Sequence, residues 1–152
     1  MKNPDSEMTV FLVDDDDIVC ESVSRSFRKQ GVPLPIVTAF DGMEALEILR
    51  GLHQSKKITN PFVVLLDLNM PRMNGFEFLQ EVRSDPNLAP IVIFVFTTSN
   101  DESDRTRAYR DNVAGYIVKS SVGPQFSRLT SLLDSYRKAV ILPGLPSRRT
   151  ST

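Results

Sequence analysis

The chain has 152 residues, the size of one ordinary domain, with 41% apolar and 24% charged side chains. Its formal net charge of −1 and its single cysteine exclude a strongly basic nucleic-acid-binding surface and an internal disulfide. Because no apolar run approaches the ~20 residues of a membrane span, a cytoplasmic globular protein with neither nucleic-acid nor membrane partners is expected.

The folded part is predicted to occupy residues 9–142 as one domain. Residues 1–8 are mostly polar and are expected to form a disordered N-terminal segment. Residues 143–152 are rich in proline and small polar residues and are expected to form a disordered C-terminal tail.

Strand and helix patterns alternate from the start of this domain. Residues 9–13 are an apolar run that predicts a buried strand, and four aspartates follow it. Apolar residues then recur at helical spacing from Val19 until Gly31 ends the helix, and Cys20 within it is expected to be a buried, unreactive thiol. Residues 35–40 predict a second, more polar strand nearer an edge of the sheet.

The second helix is predicted to begin at Asp41, because Glu44 stands three residues later at the spacing of a capping box. Its buried face should consist of Ala45, Ile48, Leu49 and Leu52. A polar connection over residues 53–60 follows, and its His53 is expected to be solvent-exposed.

The third apolar run, Phe62–Leu66, predicts a strand buried on both faces, and Asp67 follows it directly. Asn74 and Glu77 repeat the capping spacing and predict the start of the third helix. Ligands of open parallel sheets bind at the carboxyl ends of the strands, so Asp67 stands where a reactive group would. On this stretch alone, a plain turn aspartate is an equally good interpretation.

The fourth strand is the most apolar one. It is predicted over residues 91–96 and ends at Thr97. Ser99 and Glu102 have capping spacing and predict the start of the fourth helix. Over residues 101–112 that helix has few apolar side chains, so it is expected to dock loosely.

A fifth strand and a last helix complete the pattern. Residues 114–118 predict a strand that ends at Lys119, and Pro124 suits the first turn of a helix. The apolar positions of that helix are Phe126, Leu129, Leu133, Tyr136 and Val140. Five alternations predict a flavodoxin-like α/β fold, a doubly wound five-stranded parallel sheet of order 2-1-3-4-5 with helices on both faces.

Five polar side chains follow the predicted strands at their carboxyl ends: Asp14, Asp15, Asp67, Thr97 and Lys119. Because these ends meet at one edge of a parallel sheet, we expect the side chains to lie close together. Two carboxylates ~4 Å apart repel by about 4 kcal/mol at an effective dielectric constant of 20, so the cluster requires cations. Lys119 supplies one, and Mg²⁺ suits the oxygen ligands as the other. A carboxylate beside Mg²⁺, an ammonium and a hydroxyl can accept a phosphoryl group.

The motifs at these strand ends resemble those of the receiver domain of two-component response regulators. They are the acidic pair Asp14-Asp15, residues 66–71 with Gly75, Thr97, and residues 116–119. The resemblance covers residues 9–140. The connection before the third strand and residues 84–98 are most similar to stand-alone receivers associated with bacterial phytochrome-type kinases.

The resemblance implies a single-domain response regulator that accepts a phosphoryl group from a sensor histidine kinase on Asp67, in a Mg²⁺-dependent reaction. Asp15, Asp67 and the backbone carbonyl of Asn69 would bind Mg²⁺. Asp14 would act through water, and Lys119 would neutralise phosphoryl charge. The domain is not expected to be an enzyme, apart from phosphorylating itself from a donor and slowly removing that phosphate.

Thr97 and Tyr116 are implied to be the switch residues. Thr97 would bond the phosphoryl group and move inward, and Tyr116 would turn into the space beneath the fourth helix. The face made by the fourth helix, the fifth strand and the last helix would then change its contacts. A homodimer is expected through this face or through the C-terminal helix.

Two positions depart from the family pattern. Ser120 follows the lysine where the family usually has proline, so a trans peptide bond and a more mobile loop are expected. Thr98 is bulkier than the small residue usual after the switch threonine and would narrow access to the phosphoryl group. Asp16 and Asp17 are interpreted as first-turn helix residues favoured by the helix dipole rather than as metal ligands.

Two other functions remain open. A phosphate shuttle or sink in a phosphorelay has the same residues as a switch. A Mg²⁺-dependent phosphatase with an aspartyl nucleophile is less favoured, because it needs a second carboxylate two residues after the nucleophile, where this chain has Asn69.

Overall fold

The computed structural model describes residues 8–145, which form one five-stranded parallel sheet of order β2-β1-β3-β4-β5. The strands are β1 (Thr9–Val13), β2 (Ile36–Ala39), β3 (Phe62–Leu66), β4 (Ile93–Thr97) and β5 (Gly115–Val118). The helices are α1 (Asp17–Lys29), α2 (Gly42–Leu49), α3 (Gly75–Ser84), α4 (Glu102–Arg110) and α5 (Ser127–Ala139). The predicted fold class and strand order are therefore confirmed.

Two apolar layers enclose the sheet because successive side chains of a buried strand point to opposite faces. On β3, Val64 and Leu66 pack in a core with α2, α3 and α4, whereas Val63 and Leu65 pack in a core with α1 and α5. All five residues of β3 are buried. Helices therefore cover both faces, as predicted. No helix within residues 8–145 is long and apolar enough to cross a membrane.

The strand register brings the predicted site residues to one edge of the sheet. Val13 of β1 pairs with Leu66 of β3, so the residues that follow these two strands are neighbours. At the other side of β3, Thr97 of β4 pairs with Val118 of β5, one residue before Lys119.

Side chains cap the first three helices, and those of α2 and α3 are the predicted capping residues. The Asp16 carboxylate accepts the N–H of Ile18 at the start of α1, and Asp41 accepts the N–H of Glu44 at the start of α2. Asn74 and Glu77 form a complete capping box at the start of α3.

The chain ends differ from the prediction at Met8. It is predicted to lie in the disordered segment, but its side chain is 1% exposed and packs in the core with α1 and α5. Leu145, which falls in the predicted tail, packs partly buried against the opposite core. Residues 1–7 and 146–152, to which the rest of this prediction refers, lie outside the described residues.

The boundaries of two helices were wrong in the sequence prediction. Helix α2 ends at Leu49, so Leu52 lies beyond it and is 71% exposed instead of buried. Helix α4 begins two residues later than Ser99 suggests, because Asp101 is its N-cap and accepts the N–H of Ser103. Asp and Ser are both good N-cap residues, and here Asp101, directly before the helix, takes the capping position instead of Ser99.

The start of the last helix was also wrong. Pro124 belongs to a short 3₁₀ turn, Pro124–Phe126, and α5 begins only at Ser127. Gln125 and Phe126, the last two residues of this turn, have left-handed φ angles of +55° and +58°, so the α-helix cannot begin at Pro124. Val140 lies after the end of α5 and is 39% exposed.

His53 is more enclosed than predicted, since its side chain is only 17% exposed. Its Nε2 lies 3.1 Å from a carboxylate oxygen of Glu44, and its Nδ1 accepts the backbone N–H groups of Ser55 and Lys56. These contacts fold the polar connection against α2.

Candidate functional site

Three carboxylates meet at the carboxyl edge of the sheet. Asp14 and Asp15 follow β1, Asp67 follows β3, and each offers an oxygen within 4.8 Å of the others. The side chains of Asp14 and Asp67 are 0% and 8% exposed, while Asp15 is half-buried. The structure therefore brings together the carboxylates that the sequence places at the strand ends.

Lys119 supplies a positive charge to this cluster. Its Nζ lies 2.8 Å from one oxygen of Asp14 and 3.7 Å from one oxygen of Asp67, and its side chain is 10% exposed. The Nζ atom also lies 5.5 Å from the centre of the Phe96 ring, within cation–π range. Lys119 is thus held between both buried carboxylates.

One ammonium does not balance three carboxylates. Burial raises the pKa of the Asp14 carboxyl above its ordinary value, and the hydrogen bonds from Lys119 and from the Asp16 N–H oppose this rise without cancelling it. A cluster of oxygen donors with unbalanced negative charge suits a hard divalent cation such as Mg²⁺. The residues present therefore fit such an ion, with Asp14, Asp15 and Asp67 as the groups that could hold it.

The turn after β3 keeps Asn69 beside this cluster. The backbone N–H of Asn69 points to a carboxylate oxygen of Asp67 at 3.5 Å, and Gly75 donates its N–H to the carbonyl of Leu68 at 3.0 Å. A Cβ atom at position 75 would lie 2.5 Å from the Asp67 carbonyl oxygen, so only glycine allows this close approach.

The two predicted switch residues converge on Ser99, which follows β4. Thr97 is fully buried, and its hydroxyl accepts the N–H of Ser99 at 3.5 Å. The hydroxyl of Tyr116, from the adjacent strand, donates to the carbonyl of Ser99 at 3.0 Å. The Ser99 hydroxyl donates to Asp104 of α4 at 2.7 Å. Ser99 therefore links the switch residues to α4.

Sequence reasoning assigned Ser99 a different role, that of helix cap. The signal that could have corrected this is Asp101, two residues later and an equally good N-cap candidate. With Asp101 as the cap, the serine hydroxyl is left to bond within the β4–α4 connection.

Other residues around the site were assigned roles or conformations from the sequence. Asp17 lies in the first turn of α1, as predicted, whereas Asp16 is the N-cap that precedes the helix instead of a first-turn residue. Lys119 begins a short 3₁₀ turn that ends at Ser121, and the peptide bond between Lys119 and Ser120 is trans. Thr98 is exposed.

Cys20 is half-buried on α1, with its Sγ atom 3.9 Å from the Asp14 carbonyl. Burial, together with the charges of Asp14, Asp17 and Asp16, raises the pKa of its thiol to about 11. The thiol therefore stays protonated at neutral pH, in agreement with the expected unreactive role.

Comparison with known proteins decides the family. Residues 10–131 match the family model described as the response regulator receiver domain. The chain belongs to this family. Receiver domains are signalling domains of two-component systems rather than enzymes in the usual sense, they interact with histidine kinases, and they bind Mg²⁺ in an acidic pocket.

Two curated relatives are similar to this chain over most of its length. The chain is 34% identical over 110 residues to a probable methanogenesis regulatory protein, FilR2 of Methanothrix harundinacea, which covers 72% of this chain and 70% of the relative. It is 27% identical over 136 residues to the response regulator Rcp1 of Synechocystis, which covers 89% of this receiver and 92% of Rcp1.

Solved structures agree with the predicted subfamily. The phosphorylated cyanobacterial phytochrome response regulator RcpA superposes with a TM-score of 0.79 at 32% identity, over 91% of this receiver and 99% of RcpA. The Mn²⁺-bound form of Rcp1 superposes with a TM-score of 0.78 at 27% identity, over 91% and 99% of the two chains. The similarity to receivers of phytochrome-type systems is therefore confirmed.

Proposed function

We propose that this receiver acts as a single-domain response regulator that accepts a phosphoryl group from a histidine kinase on Asp67 in a Mg²⁺-dependent reaction. The observation that carries the proposal is the buried cluster in which three carboxylates lie within 4.8 Å of one another and the Lys119 ammonium lies between two of them. The match over almost the full length of Rcp1 and RcpA supports the single-domain arrangement.

The transfer breaks the P–N bond of a phosphohistidine and forms a P–O bond to a carboxylate oxygen of Asp67, which yields an acyl phosphate. The bonding pair of the P–N bond stays on the ring nitrogen, and a proton taken up by the imidazole from solvent leaves the histidine neutral. Bound Mg²⁺ would supply positive charge opposite the phosphoryl oxygens. Lys119, which already lies 3.7 Å from Asp67, holds the second positive charge at the acceptor. The Thr97 hydroxyl, at the end of the neighbouring strand, is the proposed donor to a phosphoryl oxygen.

The proposed switch begins with that hydroxyl. In the structure it accepts from the N–H of Ser99, and a new bond to the phosphoryl group would draw it toward Asp67. Loss of the Thr97 contact frees Ser99, to which the Tyr116 hydroxyl and α4 are attached. Tyr116 can then turn inward, and the face of α4, β5 and α5 changes.

Two partners are proposed for this receiver. The first is a sensor histidine kinase of the phytochrome type, because RcpA is a phytochrome response regulator and the similar AtBRR is a bacteriophytochrome response regulator. The second is another copy of the chain, bound through the α4–β5–α5 face or the C-terminal helix. Tyr109 of α4 and Leu132 of α5 are 48% and 41% exposed and supply apolar area for such contact.

The alternative of a phosphate shuttle or sink uses the same acceptor and differs only in where the phosphoryl group goes next. A phosphatase is disfavoured because Asn69, two residues after Asp67, offers an amide instead of the second carboxylate that would act as the general acid and base.

The experiment is incubation with a small phosphodonor and Mg²⁺, followed by mass spectrometry of the intact protein. We expect one added phosphoryl group that is stable in acid, labile in base and absent when the metal is chelated. Asp134→Asn, which changes an aspartate of α5 far from the cluster, should be labelled like the wild type. Equal labelling of Asp67→Asn would overturn the assignment.

A further inference from the structure

A second buried carboxylate lies outside the acidic cluster. Asp41 follows β2 and caps α2, and its side chain is fully buried. It accepts two hydrogen bonds from Arg72, from Nε at 2.6 Å and from Nη2 at 3.1 Å. Two parallel bonds from one guanidinium fix the orientation of both partners.

Arg72 belongs to the loop between β3 and α3, the same loop that follows Asp67. Its φ angle is +60°, a conformation that favours glycine, so the backbone bends sharply at a residue with a long side chain. The next residue, Met73, accepts the N–H of Gly42 at 3.1 Å. A Cβ atom at Gly42 would lie 2.7 Å from the Met73 side chain. The loop is therefore pressed against the start of α2.

The charge of Asp41 persists at neutral pH. Burial by itself raises the pKa of this carboxyl, but the hydrogen bond from Arg72 and the N–H groups at the start of α2 hold the pKa below its ordinary value. The pair is therefore ionised at neutral pH, and the contact between the loop and α2 is intact at the pH at which the receiver would accept phosphate.

We infer that Asp41 and Arg72 form a positioning pair that fixes the β3–α3 loop and so presents the backbone carbonyl of Asn69 to a divalent metal ion. Asn69 lies three residues before Arg72 and two after Asp67, whose backbone N–H donates to the Val13 carbonyl of β1 at 2.9 Å. The loop is thus held at Asp67 by the sheet and at Arg72 by α2. This inference rests on the proposed metal-dependent function.

The test substitutes Arg72 by asparagine, which removes the guanidinium but tolerates a left-handed backbone. The matched control is Arg25→Asn, because Arg25 is similarly exposed, 61% against 57%, and also pairs with a carboxylate, that of Glu21. Titration calorimetry with Mg²⁺ should show about tenfold weaker binding for Arg72→Asn, the lower end of the effect of removing a group that orients a ligand. Arg25→Asn should bind like the wild type.

Two further measurements separate positioning from simple loss of stability. In the metal-free protein, amide hydrogen exchange over residues 68–74 should quicken in Arg72→Asn and stay unchanged in Arg25→Asn. Asp41→Asn keeps an N-cap for α2 but removes the carboxylate that pairs with Arg72, and it should therefore weaken Mg²⁺ binding in the same way. The double variant should bind Mg²⁺ no worse than either single variant.

Unchanged Mg²⁺ affinity in a folded Arg72→Asn protein would overturn the inference, even if its unfolding free energy fell. Mg²⁺ affinities that add independently in the double variant would also contradict it. If the wild type itself fails to bind Mg²⁺, the proposed function fails, and the inference falls with it. The wild-type titration therefore distinguishes the two failures.

Discussion

At the scale of single residues, the carboxyl group of Asp14 shows how burial and charge oppose each other. It is fully buried, 2.8 Å from Lys119 and close to two other carboxylates. Burial raises its pKa despite the nearby ammonium, so the ionised form is less favourable in the folded protein than in the unfolded chain. Without a metal, this residue opposes folding at neutral pH.

Asp14→Asn should therefore stabilise the metal-free protein at pH 7 by about 1 kcal/mol, the scale of one buried and imperfectly compensated polar group. Because the folded-state pKa is raised, the wild-type carboxyl does not oppose folding below its ordinary pKa, where it is protonated in both states. Its cost to the free energy of unfolding develops as the pH rises through the raised pKa. The advantage of the variant should thus grow from pH 4 to pH 7. Urea unfolding in a chelator would measure it, and a constant or inverted difference would contradict this reasoning.

The site residues could be predicted because strand ends are easy to locate in a sequence. Each apolar run stops at a charged or hydroxyl residue, and parallel register carries those residues to one edge. The role of Ser99 could not be predicted, since it depends on Tyr116, which is distant in sequence. The Asp41–Arg72 pair escaped prediction for the same reason, although Asp41 itself was recognised as a cap.

At the scale of elements, α4 is attached unequally at its two ends. Arg83, in the last turn of α3, donates to four backbone carbonyls, those of Asp111, Asn112, Ala89 and Ile91. The first two follow α4, so its C-terminal end is fixed to α3. Its N-terminal end is held by the hydrogen bond from the Ser99 hydroxyl to Asp104. Ala108 is the one buried residue within the helix. The few apolar contacts agree with the predicted loose docking.

Arg83→Ala should lower the free energy of unfolding by about 3 kcal/mol, because it removes a charged donor from partly buried carbonyls. Arg110→Ala, at an exposed position of α4, should change it by less than about 0.5 kcal/mol. Urea denaturation of both variants would measure the difference. Equal stabilities would show that α4 is not anchored through Arg83.

Element boundaries were predictable where one residue decides them and unpredictable where several compete. The capping box of Asn74 and Glu77 located α3 correctly. The start of α5 was missed because Pro124 is a good first-turn residue, yet Gln125 and Phe126 adopt left-handed conformations that no local sequence rule requires. Packing of Phe126 edge-to-face on Phe96 accompanies that bend.

At the scale of the whole molecule, a metal ion that binds only the folded cluster should stabilise the entire domain. At a Mg²⁺ concentration 100 times its Kd the gain is about 2.7 kcal/mol. Asp15→Ala should lose most of this gain while Asp134→Ala, on α5, should keep it. Thermal unfolding with and without Mg²⁺ would measure both, and an unchanged Mg²⁺ response in Asp15→Ala would exclude Asp15 as a ligand.

In the proposed switch, a phosphoryl group on Asp67 is sensed by Thr97, and the change is transmitted through Ser99 to α4 and β5. The driving contact is one charge-assisted hydrogen bond, worth about 1.5–3 kcal/mol, which is enough to shift an evenly populated two-state equilibrium to about 90% or more of one state. Thr97→Ala removes the hydroxyl that makes it, and Thr97→Ser keeps that hydroxyl as the matched control.

The most direct measurement is amide hydrogen exchange over residues 101–119, with and without phosphodonor and Mg²⁺. We predict that phosphorylation alters exchange in the wild type and in Thr97→Ser. Thr97→Ala should accept the phosphoryl group, as mass spectrometry would verify, but lose most of the change in exchange. The same phosphorylation-dependent change in Thr97→Ala as in the wild type would contradict transmission through Thr97.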